Sequence, residues 1–149
     1  MAKTKVISVA NQKGGVGKST SVYCIGAGLA LDGKKVLLID VDPQGDLTKM
    51  LGLRKPHDLP RALGDVMSDV VSGKEIAEHT DIMHHHEGFD FVPGNRALSA
   101  VETGLVNVMS RETVLCCLTA WQTAKPTVWK STPSAGGLHS SSIRTAVLP

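Results

Sequence analysis

The sequence predicts an α/β fold: a doubly wound, mostly parallel sheet with flanking helices, incomplete as a sheet of that kind. Three observations predict it. Lys5–Ala10 and Lys35–Val41 are short, near-continuous apolar runs rich in β-branched residues, the pattern of parallel strands covered on both faces. A glycine-rich stretch follows the first run directly. Between the runs, Val22, Ile25 and Leu29 recur at helical spacing, and Gly33 stands where a helix C-terminal glycine belongs. The unit reads strand, glycine-rich loop, helix, strand, a right-handed crossover.

The later elements are shorter. Pro43-Gln-Gly45 breaks the second strand, and Asp46–Leu51 follows as a short helix. Leu63, Val66, Met67 and Val70 give Arg61–Val71 an apolar helical face. A brief helix is expected over Lys74–His79, a third strand over Phe89–Val92, and a helix over Ala97–Val108 with Leu98, Val101, Leu105 and Val108 as its stripe. Residues 1–115 are therefore expected to form the domain. Residues 116–149 change character: they hold three basic residues, no acidic one and both tryptophans, with no sustained period. This tail is expected to be disordered or the product of a shifted reading frame.

Composition bounds the rest. The chain has 149 residues, 42% of them hydrophobic and 20% charged, enough for one domain with a core. A net charge of +2 does not argue for nucleic acid. Cys24, Cys116 and Cys117 match neither a disulfide framework nor a zinc site. No leader or membrane-spanning stretch is expected, and a reducing cytoplasm is the expected location.

The chemistry lies in Lys13-Gly-Gly-Val-Gly-Lys-Ser-Thr20. Glycines 14, 15 and 17 let the backbone curl close around phosphates, and the helix that follows offers free N–H groups and its positive dipole end. Lys18 supplies a point charge to the β- and γ-phosphates, and the Ser19 hydroxyl is spaced to ligate Mg²⁺. Val16 and Thr20 complete the set of backbone and hydroxyl donors. Gln12 stands where the standard spacing has glycine, with the extra lysine, Lys13, beside it. The expected ligand is ATP with Mg²⁺. On the second strand, Asp40 and Asp42 share a face by their i, i+2 spacing, at the strand end that overlooks the ligand crevice of a parallel sheet. Capping of the strand end is the alternative for Asp40.

This motif resembles the deviant Walker A of the ParA/MinD superfamily of P-loop ATPases. Val36-Leu-Leu-Ile-Asp-Val-Asp-Pro-Gln-Gly45 is similar to the second signature of its ParA/Soj partition branch, and Leu98–Glu102 and Met109–Glu112 also look like that branch. The resemblance covers about residues 1–115. It implies that Lys13 reaches the partner's phosphates in an ATP-sandwiched homodimer, that Asp42 orients the attacking water, and that Asp40 lies near Mg²⁺, through water. It also implies non-specific DNA and a ParB-type centromere-binding protein as partners, in chromosome or plasmid segregation, without a membrane. The family's later strand ending in an aspartate is not readable after Leu115. A nucleotide-binding remnant without turnover is therefore the rival expectation; an ATPase of the same superfamily that positions another cargo is a third. His84-His85-His86 is expected to be a solvated loop rather than a metal site, and Cys116-Cys117 to be incidental thiols.

Overall fold

The computed structural model describes residues 5–74, 81–105 and 144–148. The first crossover forms as its residues dictate. Strand β1 (Lys5–Ser8) runs into the glycine-rich loop, helix α1 (Lys18–Leu31) follows, and β2 (Lys35–Ile39) returns parallel to the sheet. Gly33 has φ 72°, the left-handed conformation that ends α1 and that a Cβ would disfavour. Then come α2 (Asp46–Met50), a turn of 3₁₀-helix at Pro56–Asp58, α3 (Leu63–Val71), β3 (Met83–His84), β4 (Asp90–Val92) and α4 (Ala97–Leu105). The last described element is β5 (Arg144–Leu148).

The sheet order is β1-β5-β2-β4-β3. The first four strands are mutually parallel, and β3 closes a short antiparallel hairpin with β4. Side chains of β2 alternate between two layers, as strand geometry requires. Val36 and Leu38 pack with Val22, Leu47, Leu51, Phe89 and Phe91 on the α1/α2 side. Ile39 packs with Leu63, Val66, Met67, Val92 and Leu98 on the α3/α4 side. Helices thus cover both faces of β2, the doubly wound arrangement expected. Asp65 accepts the Ala62 N–H at 2.9 Å at the start of α3, the return half of a capping box.

Several expectations need correction. Strand β1 reads as buried on both faces, yet Val6 and Ile7 are 53% and 37% exposed. Its only strand neighbour among the described residues is β5. On α1 the face turned to the sheet is set by Val22 and Gly26, while Ile25 is exposed. A Cβ at Gly26 would lie 2.7 Å from Leu38 Cδ2, so a residue with no side chain brings helix and strand together. Arg144–Leu148 fall in the segment expected to stand apart from the domain, and instead they pair with both β1 and β2 in mid-sheet. The expected helix over 74–79, the end of the one over 97–108, the Cys116-Cys117 pair and the rest of the tail lie outside the described residues.

The histidine run is also corrected. His85 is buried, 7% exposed, and its ring stacks on Phe89 at 4.6 Å, with Tyr23 of α1 edge-on at 6.4 Å. The Tyr23 hydroxyl donates to Glu87 at 2.8 Å, tying the hairpin to α1. Only the flanking His84 and His86 are exposed. Burial pushes the His85 imidazole below its ordinary range, and neighbouring His86 adds to the effect. The sign follows: as pH falls below the unfolded value of about 6.5 the unfolded chain takes the proton first, so stability drops. Thermal midpoints are therefore expected to fall between about pH 7 and pH 5, and His85→Phe is expected to flatten that dependence.

Candidate functional site

Two loops leave the same edge of the sheet. Ser8 of β1 is level with Leu148 of β5, and Leu38 of β2 is level with Val147. Ile39 is therefore level with Ser8, and the next residues, Val9 and Asp40, lead off side by side. One strand, β5, separates them, a span of roughly 10 Å. The C-terminal edge of a parallel sheet is where such folds bind ligands.

The first loop, residues 9–17, is open to solvent apart from the half-buried Val9. Asn11 Oδ1 accepts the Lys13 N–H at 2.9 Å and starts the turn. Gly15 and Gly17 have φ 71° and 83°, a conformation costly for other residues. A Cβ added at Gly14, Gly15 or Gly17 would meet nothing within 4 Å. The glycines are thus set by conformation and by the space in front of them, not by packing behind. Gly17 caps α1 without a side-chain hydrogen bond, so the first N–H groups of a 14-residue helix face the loop. Lys18 Nζ folds back to the Lys13 carbonyl at 3.4 Å. Lys18 and Ser19 are half-buried, whereas Lys13, Val16 and Thr20 are exposed.

The second loop, residues 40–48, is knotted tightly. Asp40 is 1% exposed. Its Oδ2 accepts from the Thr48 amide at 2.8 Å and the Thr48 hydroxyl at 2.6 Å, and its Oδ1 accepts the Asp42 N–H at 3.2 Å. The Thr48 hydroxyl in turn accepts the Gly94 N–H at 2.9 Å. Burial pushes the Asp40 carboxyl up, opposed by the Thr48 bonds. Asp42 is half-buried; its Oδ1 accepts the Gln44 N–H at 2.9 Å, and its carbonyl accepts the Gly45 N–H at 2.9 Å. Asp40 and Asp42 thus differ: one carboxylate is sealed in a network, the other lies nearer the surface.

Chemically, the first loop can collect a polyanion, with backbone N–H groups, a helix terminus and Lys18 converging on open space. The second brings carboxylates to the same edge. Motif spacing found both. It did not find Thr48 or Gly94, whose signal is the eight-residue return from Asp40 and a glycine just after β4. Among the described residues no group of three His, Cys, Asp or Glu could hold a metal ion by side chains of those types alone. No described helix is long and apolar enough to cross a membrane.

Comparison with known proteins gives concordant matches. The model of an AAA domain family matches residues 4–122. The sporulation initiation inhibitor protein Soj of Bacillus subtilis is 41% identical over 108 residues, which are 72% of this chain and 41% of that protein. The chromosome partitioning protein ParA of Caulobacter vibrioides is 37% identical over 101 residues, 68% of this chain and 36% of that one. The chain thus spans about two fifths of the length of the curated relatives it matches. Among solved structures, cobyrinic acid a,c-diamide synthase of Mycobacterium smegmatis, with a bound ATP analogue and magnesium, superposes with TM-score 0.74 and 31% identity. That match covers 98% of this chain and 50% of the synthase. A plasmid partition protein from Borrelia burgdorferi, 22% identical with TM-score 0.61, shares the fold, over 98% of this chain and 55% of its own.

Proposed function

We propose, for a chain that belongs to the AAA domain family and within it to the ParA/Soj-type partition ATPases, that the two loops form a site for ATP and Mg²⁺. The observation that carries the proposal is the open glycine cradle at the N-terminus of α1, level with Asp40 and Asp42 across the sheet edge. The backbone of Gly14, Gly15, Val16 and Gly17, with Ser19 and Thr20, surrounds the phosphates, and Lys18 neutralises them. The donor set fits magnesium: the Ser19 hydroxyl would hold it, and Asp40, whose oxygens already accept from Thr48 and the Asp42 amide, would act through water. Bound magnesium would neutralise charge on the phosphates. Asp42, the less buried carboxylate, orients the attacking water. Lys13, exposed at the rim, offsets charge on the nucleotide of a second copy.

The wider role follows the family. ATP drives a homodimer, the dimer binds DNA non-specifically, and a ParB-type centromere-binding protein stimulates hydrolysis, in the cytoplasm, during chromosome or plasmid segregation. A second reading is favoured by one observation. Among the described residues the strand between the two loops is Arg144–Leu148, and none of its five residues is a carboxylate. The second reading is a site that binds nucleotide without turning it over.

Equilibrium titration with a fluorescent ATP analogue tests the common part. Saturable binding that ATP and ADP displace and adenosine does not is expected; no saturable binding overturns the site. Phosphate release separates the two readings. If turnover is present, Asp42→Asn is expected to slow it by about 100-fold or more, with nucleotide affinity held within about threefold.

A further inference from the structure

Thr48 sits at the crossing of three backbone segments. Its amide and hydroxyl both donate to Asp40 Oδ2, at 2.8 and 2.6 Å, and its hydroxyl accepts the Gly94 N–H at 2.9 Å. The other oxygen of Asp40 accepts the Asp42 N–H. Thr48 is itself fully buried on α2. One hydroxyl therefore links the end of β2, the start of α2 and the loop after β4. The Asp40 backbone N–H closes the same circuit by donating to Val92 of β4 at 3.1 Å.

We propose that Thr48 is a positioning residue of the nucleotide site: its hydroxyl orients the Asp40 carboxylate, and through it the backbone that presents Asp42. The proposal rests on the nucleotide reading above and extends it to a residue that touches neither phosphate nor metal. A buried carboxylate oxygen that loses a donor, and a buried amide that loses its acceptor, each carry an uncompensated desolvation cost. Removing one hydroxyl creates both at once. Asp40 is then held only by the backbone amides of residues 42 and 48, and the Gly94 amide is released from the loop that presents Asp42.

Valine and serine separate this role from packing. Thr48→Val keeps the volume and removes the hydroxyl; Thr48→Ser keeps the hydroxyl and removes the methyl. Positioning makes valine the damaging change, whereas a packing role makes serine the damaging one. Two measurements read the difference. In nucleotide-free protein, amide hydrogen exchange at Asp42, Gln44, Gly45 and Gly94 is expected to quicken about tenfold or more in Thr48→Val, and to stay near wild type in Thr48→Ser. In titrations of the fluorescent ATP analogue, Thr48→Val is expected to lose most of the affinity gained on adding Mg²⁺, about tenfold, while affinity in chelator stays within about twofold of wild type. Thr48→Ser is expected to restore the gain. If the valine variant does not fold, Thr48→Cys against Thr48→Ser gives the same ordering, because a thiol is the weaker donor. Unchanged exchange and an unchanged magnesium gain in Thr48→Val, with wild type binding nucleotide, overturn the positioning role alone. Absence of saturable binding in wild type overturns the nucleotide reading and this role with it.

Discussion

Gly94→Ala is expected to destabilise the protein by roughly 3 kcal/mol, the upper part of the range for overpacking a filled site. A Cβ at position 94 would lie 2.5 Å from the Asp40 carbonyl oxygen, 3.0 Å from Asp40 Cγ and 3.1 Å from the Asp42 carbonyl oxygen. Two of those three atoms are backbone, so no side-chain rotation relieves the clash. Relief requires the β4–α4 loop to move off the second loop, which breaks the bond from the Gly94 N–H to Thr48. The Leu63 N–H, which donates to the Pro93 carbonyl at 2.8 Å, is pulled with it. For a chain of this size the loss corresponds to a melting temperature lower by about 6–12 °C. The contrast is Gly28→Ala on the exposed face of α1, where an added Cβ meets nothing within 4 Å. That change is expected to raise stability by about 0.5–1 kcal/mol through helix propensity. Thermal and urea unfolding of the two variants check both signs. A Gly94→Ala variant as stable as wild type would sink the account of this contact.

Lys18→Ala is expected to weaken nucleotide binding by about 10- to 150-fold, the worth of one charge-assisted hydrogen bond to phosphate. Stability is expected to stay within about 0.5 kcal/mol of wild type, because among the described residues the ammonium makes only the 3.4 Å contact to the Lys13 carbonyl. The two effects therefore separate, as they do not at Gly94. Binding that survives Lys18→Ala unchanged, in a titration of the folded variant, would sink the phosphate-loop reading. Lys13→Ala is the companion test. If Lys13 serves a second copy, affinity of the single chain is little changed and nucleotide-dependent dimerisation, followed by sedimentation, is lost.

Much of the fold was legible because its signals are local. The glycine-rich loop, α1 and its terminal Gly33, β2, and the helices at Asp46 and Leu63 each rest on residues within one turn or one strand. The same holds for Lys13–Thr20, whose spacing carries its own geometry. Where reading failed, the deciding contact lies far off in the chain. His85 is buried because Phe89 and Tyr23 of α1 close over it, which three adjacent histidines do not reveal. Gly26 rather than Ile25 faces the sheet because Leu38 needs the room. Asp40 reads from spacing as a carboxylate at the ligand edge; the buried network that Thr48 and the Asp42 amide build around it is not legible from that spacing.

By itself the sequence determined what the loop at the end of β1 can hold, since phosphate binding needs only glycines, a lysine, a hydroxyl and a helix start in one continuous stretch. Tertiary structure alone decided that Arg144–Leu148 lies between β1 and β2, that Val6 and Ile7 of β1 are exposed, and that Gly94 and Thr48 brace the carboxylate loop. The physical reason is range. Hydrogen bonds within a turn or helix leave a period in the sequence, whereas strand order and a 2.5 Å approach between loops 54 residues apart leave none.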